Sequence, residues 1–439
     1  MRVGNSLRRQ AMILTLANGA TRAVGFVLHL MLARLMGAEA LGVMELANTV
    51  GMLALTPVTA GVPAAMSRLT ARRPACDQPS VLRAGVRLVT RMAAVLIPSL
   101  LLLSPLFAWL LGDERTLPSI LLTAPDVLLL GLCAAYSGYC YGRDDAKTPA
   151  LCECAEQGVR FLLCAGLLLF LPRLPIRWTA ALPGIAEGVA GVVVVLLLRR
   201  AVPLEHRLDK VSGALTRQLF RLSAPTTAAR LCMTGSRALG AVLLPVCLRR
   251  SGLSAAAATA QFGLLNGMAM PLIMLPGIVT SAVCMVATPA VSRLEGSPEK
   301  LTRTARQLTL AAFAVGTAAA GGLFLLSDFL ANVLYAQPAL APLVRALSPA
   351  ALCFALHQVM HGMIAGLGLQ KRALFGTLLS CAVNLTLTAW LCPLPRLRLY
   401  GAAMACVAGQ LTGVCWDALL LRRALHRAGF APRPVQGAG

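Results

Sequence analysis

Between Leu96 and Leu111 the chain runs Leu-Ile-Pro-Ser-Leu-Leu-Leu-Leu-Ser-Pro-Leu-Phe-Ala-Trp-Leu-Leu, with no charge and no alternation of apolar with polar residues. A membrane barrel strand would turn every second side chain toward a polar lumen, so this run is not one. In hydrocarbon the backbone has no water to bond, and an apolar run must satisfy its own N–H and C=O groups as a helix. About 20 residues cross a bilayer in that form. Twelve such stretches can be drawn, at residues 11–36, 42–66, 88–111, 118–142, 146–171, 178–198, 217–248, 261–289, 304–326, 341–366, 373–392 and 399–421. The 439 residues are 57% hydrophobic and 13% charged, with a mean hydropathy of +0.74, which leaves too little charge to solvate a globule of this size. The fold class expected is an all-α polytopic membrane protein of about 12 helices.

A net charge of +23 would suggest a nucleic-acid partner in a soluble protein. Here the charge is sorted by side. The segments that share a side with the two termini carry 26 Lys and Arg, in groups such as Arg68, Arg72, Arg73, Arg83 and Arg87, whereas the opposite side carries seven, including Arg115, Arg177 and Arg249. Basic loops stay in the cytoplasm. Both termini are therefore expected there, the number of spans is even, and no nucleic-acid partner is expected. The basic start, Met1 to Arg9, leads into a span-length run with no small-residue cleavage signal at the usual distance, and reads as a retained first helix.

Two stretches echo each other about 224 residues apart: Pro125, Gly138, Gly142 and Lys147 recur as Pro349, Gly362, Gly366 and Lys371. Pro63-Ala-Ala-Met-Ser67-Arg68-Leu69 likewise recurs as Pro289-Ala-Val-Ser292-Arg293-Leu294, and near the two starts Arg22, Arg34 and Gly37 fall on Arg237, Arg249 and Gly252. Six spans return a chain to its starting side, so the halves are parallel repeats about an axis along the membrane normal. The expected organisation is an N-terminal six-helix lobe over 1–210, a C-terminal six-helix lobe over 211–427 and a disordered cytoplasmic tail over 428–439, with a cleft between the lobes for cargo. Pro57, Gly61 and Pro63 interrupt span 2, and Pro271, Pro276 and Gly277 interrupt span 8, as static kinks or as gates. Gly138 with Gly142, and Gly362 with Gly366, have the spacing for close helix packing.

No glycine-rich phosphate loop is present, so nucleotide hydrolysis is not expected, nor is any cofactor. The 14 cysteines lie mostly within spans and read as small apolar packing residues; Cys152-Glu-Cys154 lacks zinc-finger spacing. His357 and His361 stand at i, i+4 without an adjacent Glu, and read as hydrogen-bonded core or cavity histidines, with no metal expected. Charges inside spans carry more information, because each is costly unless it meets a partner or water. Arg22, His29 and Arg34 lie in span 1, and Arg230 and Arg237 in span 7, its equivalent. Two equivalent helices with basic stripes suggest a cationic cavity for an anionic cargo, since guanidinium groups match phosphate through a planar donor fork. The alternative is structural pairing with Glu45, Glu153, Glu156 or Asp126. Glu153, Glu156 and Arg160 form either a proton or sodium relay or a structural ion pair, with Arg160 one turn after Glu156. Asp417 and Glu187 stand alone and receive no role.

The segments Gly25-Phe-Val-Leu-His29-Leu-Met-Leu-Ala-Arg34-Leu-Met-Gly37, Gly61-Val-Pro-Ala-Ala-Met-Ser67-Arg68, Gly267-Met-Ala-Met-Pro271-Leu-Ile-Met-Leu-Pro276, Gly362-Met-Ile-Ala-Gly366-Leu-Gly368 and Tyr400-Gly-Ala-Ala come in a characteristic order. Over about residues 8 to 425 they resemble the polysaccharide-export and stage V sporulation protein B family of the multidrug/oligosaccharidyl-lipid/polysaccharide (MOP) flippase superfamily. The resemblance implies two six-helix lobes around a central cavity, like multidrug exporters of the MATE type and lipid II flippases. It implies no enzyme but a flippase in the bacterial inner membrane for a lipid-linked oligosaccharide or peptidoglycan precursor. Cell-wall synthesis and sporulation are the expected context, with cell-wall enzymes as neighbours and a monomeric state. Arg22 and Arg34 match basic cavity positions of related flippases, and His29 stands where a basic residue, often Arg, is usual. A cation-coupled multidrug exporter of the same fold is the alternative; a membrane-embedded glycan transferase, which would need an outer-loop acid such as Asp113, Glu114 or Asp328, is a more distant one.

Overall fold

The computed structural model describes residues 2–171, 174–202, 213–294 and 297–430, and every regular element among them is a helix. Most of the polar join between the expected lobes, residues 203–212, and the tail from residue 431 lie outside the described residues; residues 428–430 continue the last helix. By internal contacts the chain forms two compact units, Met1–Pro245 with Ser254–Gly263, and Val246–Leu253 with Leu264–Gly439.

The first unit contains α1 (Arg2–Thr59), α2 (Val62–Ala71), α3 (Gln78–Leu111), α4 (Leu117–Leu122), α5 (Ala124–Gly142), α6 (Lys147–Phe170), α7 (Ile176–Thr179), α8 (Leu182–Ala201), most of α9 (Gly213–Arg250), and α10 (Ala255–Phe262). Local chemistry sets several boundaries. Gly112 ends α3 in the left-handed region at φ 72°, returning its N–H to the carbonyls of Ala108 and Trp109. Asp145 accepts from the N–H groups of Lys147 and Thr148 at 3.2 Å each and so caps α6. Ser254 caps α10 by accepting from the Ala257 N–H at 3.2 Å. The core gathers Val62, Met66 and Leu69 of α2, Val81, Leu88 and Val89 of α3, Tyr136 and Tyr139 of α5, Leu198 of α8 and Leu219 of α9.

The second unit contains α11 (Met270–Ile273), α12 (Pro276–Arg293), α13 (Pro298–Leu325), α14 (Ser327–Phe329), α15 (Leu340–Gly366), α16 (Gln370–Leu391) and α17 (Leu399–Phe430). Its core draws Ala287 and Val291 from α12, Leu301, Ala305 and Ala312 from α13, Val359 and Met363 from α15 and Val414 from α17. Thus α12, α13 and α15 do in this unit what α2, α3 and α5 do in the other.

Nine described helices are long and apolar enough to cross a membrane, or ten when the segment broken at Met274 and Leu275 is joined into one span. One of the nine, Gly19–Ala71, holds 53 residues, which is more than twice the length a single crossing needs. It is not straight: Gly37 interrupts α1 with φ 75° and ψ 173°. Helix α6 has 24 residues but carries Glu153, Glu156 and Arg160 among them, which lowers its hydropathy without shortening it. With α1 divided at Gly37 and α6 included, the helices coincide with the twelve stretches drawn from the sequence.

Candidate functional site

Within the first unit, α1, α6 and α8 enclose a polar cavity of about 140 Å³ whose wall includes His29, Glu45, Asn48, Gln157, Arg160 and Glu187. The packing of α6 on α8 and of α1 on α6 places these side chains together. Arg160 Nη2 lies 3.2 Å from Glu187 Oε2, and both side chains are about a quarter exposed. The ion pair of Arg160 is thus with Glu187, which the sequence left without a role, and not with Glu156 one turn earlier. Glu45, Asp126 and Glu156 also lie within electrostatic range of Arg160, and Glu45 within range of His29. Asp126 is 1% exposed, and its Oδ1 has no hydrogen-bond partner among the described residues. Four carboxylates therefore lie within electrostatic range of one guanidinium. An excess of carboxylates over guanidinium groups inside a helical membrane protein is suited to attract a proton or a monovalent cation.

The basic stripes are placed differently. Arg22 and Arg34 are exposed on the first arm of α1, and Arg230 and Arg237 are exposed on α9, while His29 is half-buried in the cavity wall. The cavity brings His29 together with Arg160; it does not include Arg22, Arg34, Arg230 or Arg237. Among the described residues no carboxylate forms an ion pair with Arg22, Arg230 or Arg237. By contrast Arg115 binds Asp113 and Glu39, Arg160 binds Glu187, and Arg345 binds Asp328. The half-buried Glu153 is close enough to Glu156 to repel it but does not line the cavity.

Asn48, Gln157 and Glu187 are cavity residues that spacing did not disclose, and Glu45 was expected only as a structural partner for the basic stripes. The available signal was that Glu45 and Glu187 are acids inside apolar stretches, where an ionisable group needs a partner.

The chain matches the polysaccharide biosynthesis protein family over residues 7–295. It is 28% identical over 423 residues to stage V sporulation protein B of Bacillus subtilis (strain 168), covering 91% of this chain and 80% of that protein. Among solved structures it resembles a multidrug resistance MATE family transporter of the MOP superfamily in an inward-facing conformation, with a TM-score of 0.77 at 17% identity, over 94% of this chain and 96% of the other. It also resembles the lipid II flippase MurJ in an inward closed conformation, with a TM-score of 0.75 at 11% identity, over 95% and 90% of the two chains. The two solved structures, a transporter and a flippase, share the all-helical fold that the motifs implied. With its match over residues 7–295, the chain belongs to the polysaccharide biosynthesis protein family.

Proposed function

We propose that this protein is a flippase that carries an isoprenoid diphosphate-linked oligosaccharide or peptidoglycan precursor from the cytoplasmic to the outer leaflet of the bacterial cytoplasmic membrane. It works by alternating access, with both termini in the cytoplasm. The observation that carries this reading is the contrast among arginines in apolar helices. Arg160 and Arg345 are matched by carboxylates, whereas Arg22, Arg230 and Arg237 are exposed with no carboxylate pair among the described residues. An unmatched guanidinium at mid-bilayer costs about 2.5–3.5 kcal/mol or more. Retaining three of them makes sense if a mobile anion satisfies them in turn, and a diphosphate fits the guanidinium donor fork. Arg34 and His29 support the same charge on α1. The polysaccharide biosynthesis family and the likeness to a lipid II flippase favour a lipid-linked sugar as the anion's source. With no nucleotide site in the sequence, the carboxylate-rich cavity around Arg160 is the element suited to couple transport to a proton or cation.

The cavity also favours a second reading, a cation-coupled drug exporter, which the MATE likeness supports. Its cationic cargo would be repelled by Arg22, Arg230 and Arg237. The deciding experiment reconstitutes the protein in vesicles and measures flipping of a defined lipid-linked sugar against efflux of a cationic dye. The flippase reading expects sugar flipping that falls at least tenfold in Arg22→Ala and Arg237→Ala, with no dye efflux. Wild-type flipping rates in both variants, or dye efflux alone, would overturn it.

A further inference from the structure

In the second unit, well apart in the chain from the cavity residues, α15 and α17 bring together His357, His361 and Asp417. The two histidines stand one turn apart on α15 with ring centroids 5.4 Å apart. Asp417 faces them from α17, and its side chain is 1% exposed. His357 Nδ1 lies 2.9 Å and His361 Nδ1 3.9 Å from the same atom, Asp417 Oδ2. At 2.9 Å a hydrogen bond would be expected, yet the geometry does not align one. Neither histidine Nδ1 nor either oxygen of Asp417 has a hydrogen-bond partner among the described residues. No lysine or arginine among the described residues pairs with Asp417 either. A buried carboxylate left in this state is costly, whereas one that coordinates a cation is not.

We propose that His357, His361 and Asp417 form a binding site for a divalent first-row transition-metal ion, with zinc as the ion to test. The three ligand atoms lie within 4.8 Å of one another. Two nitrogen or oxygen ligands on one tetrahedral zinc, each at about 2.0–2.2 Å from the ion, lie roughly 3.3 Å apart. The observed 2.9 and 3.9 Å bracket that value, so small rotations of the two rings bring the set into range. Two imidazoles and one carboxylate suit zinc and its neighbours better than sodium, calcium or magnesium, which prefer all-oxygen surroundings. Room exists beside the ligands. Gly413 lies one turn before Asp417, and a Cβ built there would already stand 3.4 Å from His357 Nδ1 and 3.5 Å from Ser380 Oγ. The His361 side chain is 41% exposed and provides a route of entry, while three protein ligands leave a fourth position for water. Occupied, the site would tie α15 to α17 across their long contact. The i, i+4 histidines were visible in the sequence; the third ligand was not, because it comes from a different helix.

The test uses the full-length protein in detergent, stripped with a chelator, loaded with zinc and desalted, with retained zinc measured by mass spectrometry. The chain also has 14 cysteines, some of them exposed, so the informative quantity is the difference between wild type and Asp417→Asn. Wild type is expected to retain about one equivalent more than Asp417→Asn. The affinity loss in the variant should exceed the ~10–100-fold that removal of an outer-shell partner causes. Cobalt in place of zinc should give the intense visible bands of a tetrahedral site in wild type and lose them in the variant. His361→Cys retains a ligand, and should keep the ion while adding a sulfur-to-cobalt charge-transfer band. Equal zinc in wild type and Asp417→Asn, or no sulfur band in a folded His361→Cys, would overturn the proposal.

Discussion

Asp113 shows how far one side chain can be committed. The Arg115 side chain donates to it through Nε at 2.9 Å and Nη2 at 2.7 Å, the Arg115 backbone N–H at 3.1 Å, and the Thr259 hydroxyl at 2.8 Å. Arg115 also reaches Glu39 at 2.5 Å, so the cluster ties the end of α3 to α1 and α10. A transferase would need a free outer-loop acid. Of the three outer-loop acids, Asp113 is not free and Asp328 is held by Arg345, which leaves only the exposed Glu114 to such a reading. Burial alone would raise the Asp113 carboxyl, but the bonds from Arg115 and Thr259 outweigh it and hold the group below the ordinary carboxylate value. A depressed folded-state value stabilises the fold above the unfolded value and is lost as pH falls through the folded one. Asp113→Asn is therefore expected to cost about 2–3 kcal/mol near neutrality, as for a buried charged hydrogen-bond partner. Thermal unfolding in detergent would register this as a lower midpoint. The gap between wild type and variant should narrow below about pH 4, where the carboxylate of the unfolded chain protonates. A gap that does not change with pH would mean that packing, not charge, supplies the stability.

At the scale of the helix, the two halves reuse the same devices. Gly37 and Gly252, paired by the repeat, both have left-handed backbone, with φ of 75° and 94°, and neither is crowded. They are glycines for conformation. Gly37→Ala and Gly252→Ala are each expected to destabilise by about 1–3 kcal/mol, the cost of an L-residue at such a positive φ. The other repeated glycines serve contact. A Cβ on Gly142 would come within 2.7 Å of the Ser67 carbonyl oxygen on α2, and one on Gly366 within 2.5 Å of the Thr288 carbonyl oxygen on α12. Because backbone cannot yield as a side-chain tip does, Gly142→Leu and Gly366→Leu should separate α2 from α5 and α12 from α15. Each is expected to lower the unfolding midpoint more than Gly158→Leu, where a Cβ has open space. Equal effects at all three positions would show that helix propensity and not contact decides. These features were legible in the sequence because glycine, proline and apolar runs act locally. The break at Gly37, the interruption near Gly61 and the division at Pro276 follow from the residues that stand there. The pairing of Arg160 with Glu187, and the meeting of His357 and Asp417, were not legible. Each depends on how one helix is rotated against another, which spacing along a chain does not encode.

For the whole molecule the decisive quantity is which side each loop faces, because the flippase reading needs a cytoplasmic entry for its lipid-linked cargo. The proposed orientation, which rests on the distribution of Lys and Arg, has the segment between α2 and α3 in the cytoplasm and the turn after α3 outside. Each segment offers an exposed position: Cys76 in the first and Glu114 in the second. Two single-cysteine proteins, one that retains only Cys76 and one that carries only Glu114→Cys, can be treated with a membrane-impermeant thiol reagent. The reagent should label Cys76 in inside-out vesicles and not in intact spheroplasts, and label the substituted position 114 in spheroplasts alone. A cysteine in the loop between α16 and α17, at exposed Arg396, should behave like position 114. One at exposed Lys371, in the first turn of α16, should behave like Cys76. Agreement of the second pair with the first would mean that the chain crosses the membrane the same way in both halves, as parallel repeats require. If the second pair is reversed, the halves are inverted. The correspondence of α2 with α12 and α5 with α15 would then be a likeness of packing alone, and the arginines of α1 and α9 would no longer enter the membrane from the same side to meet one anion.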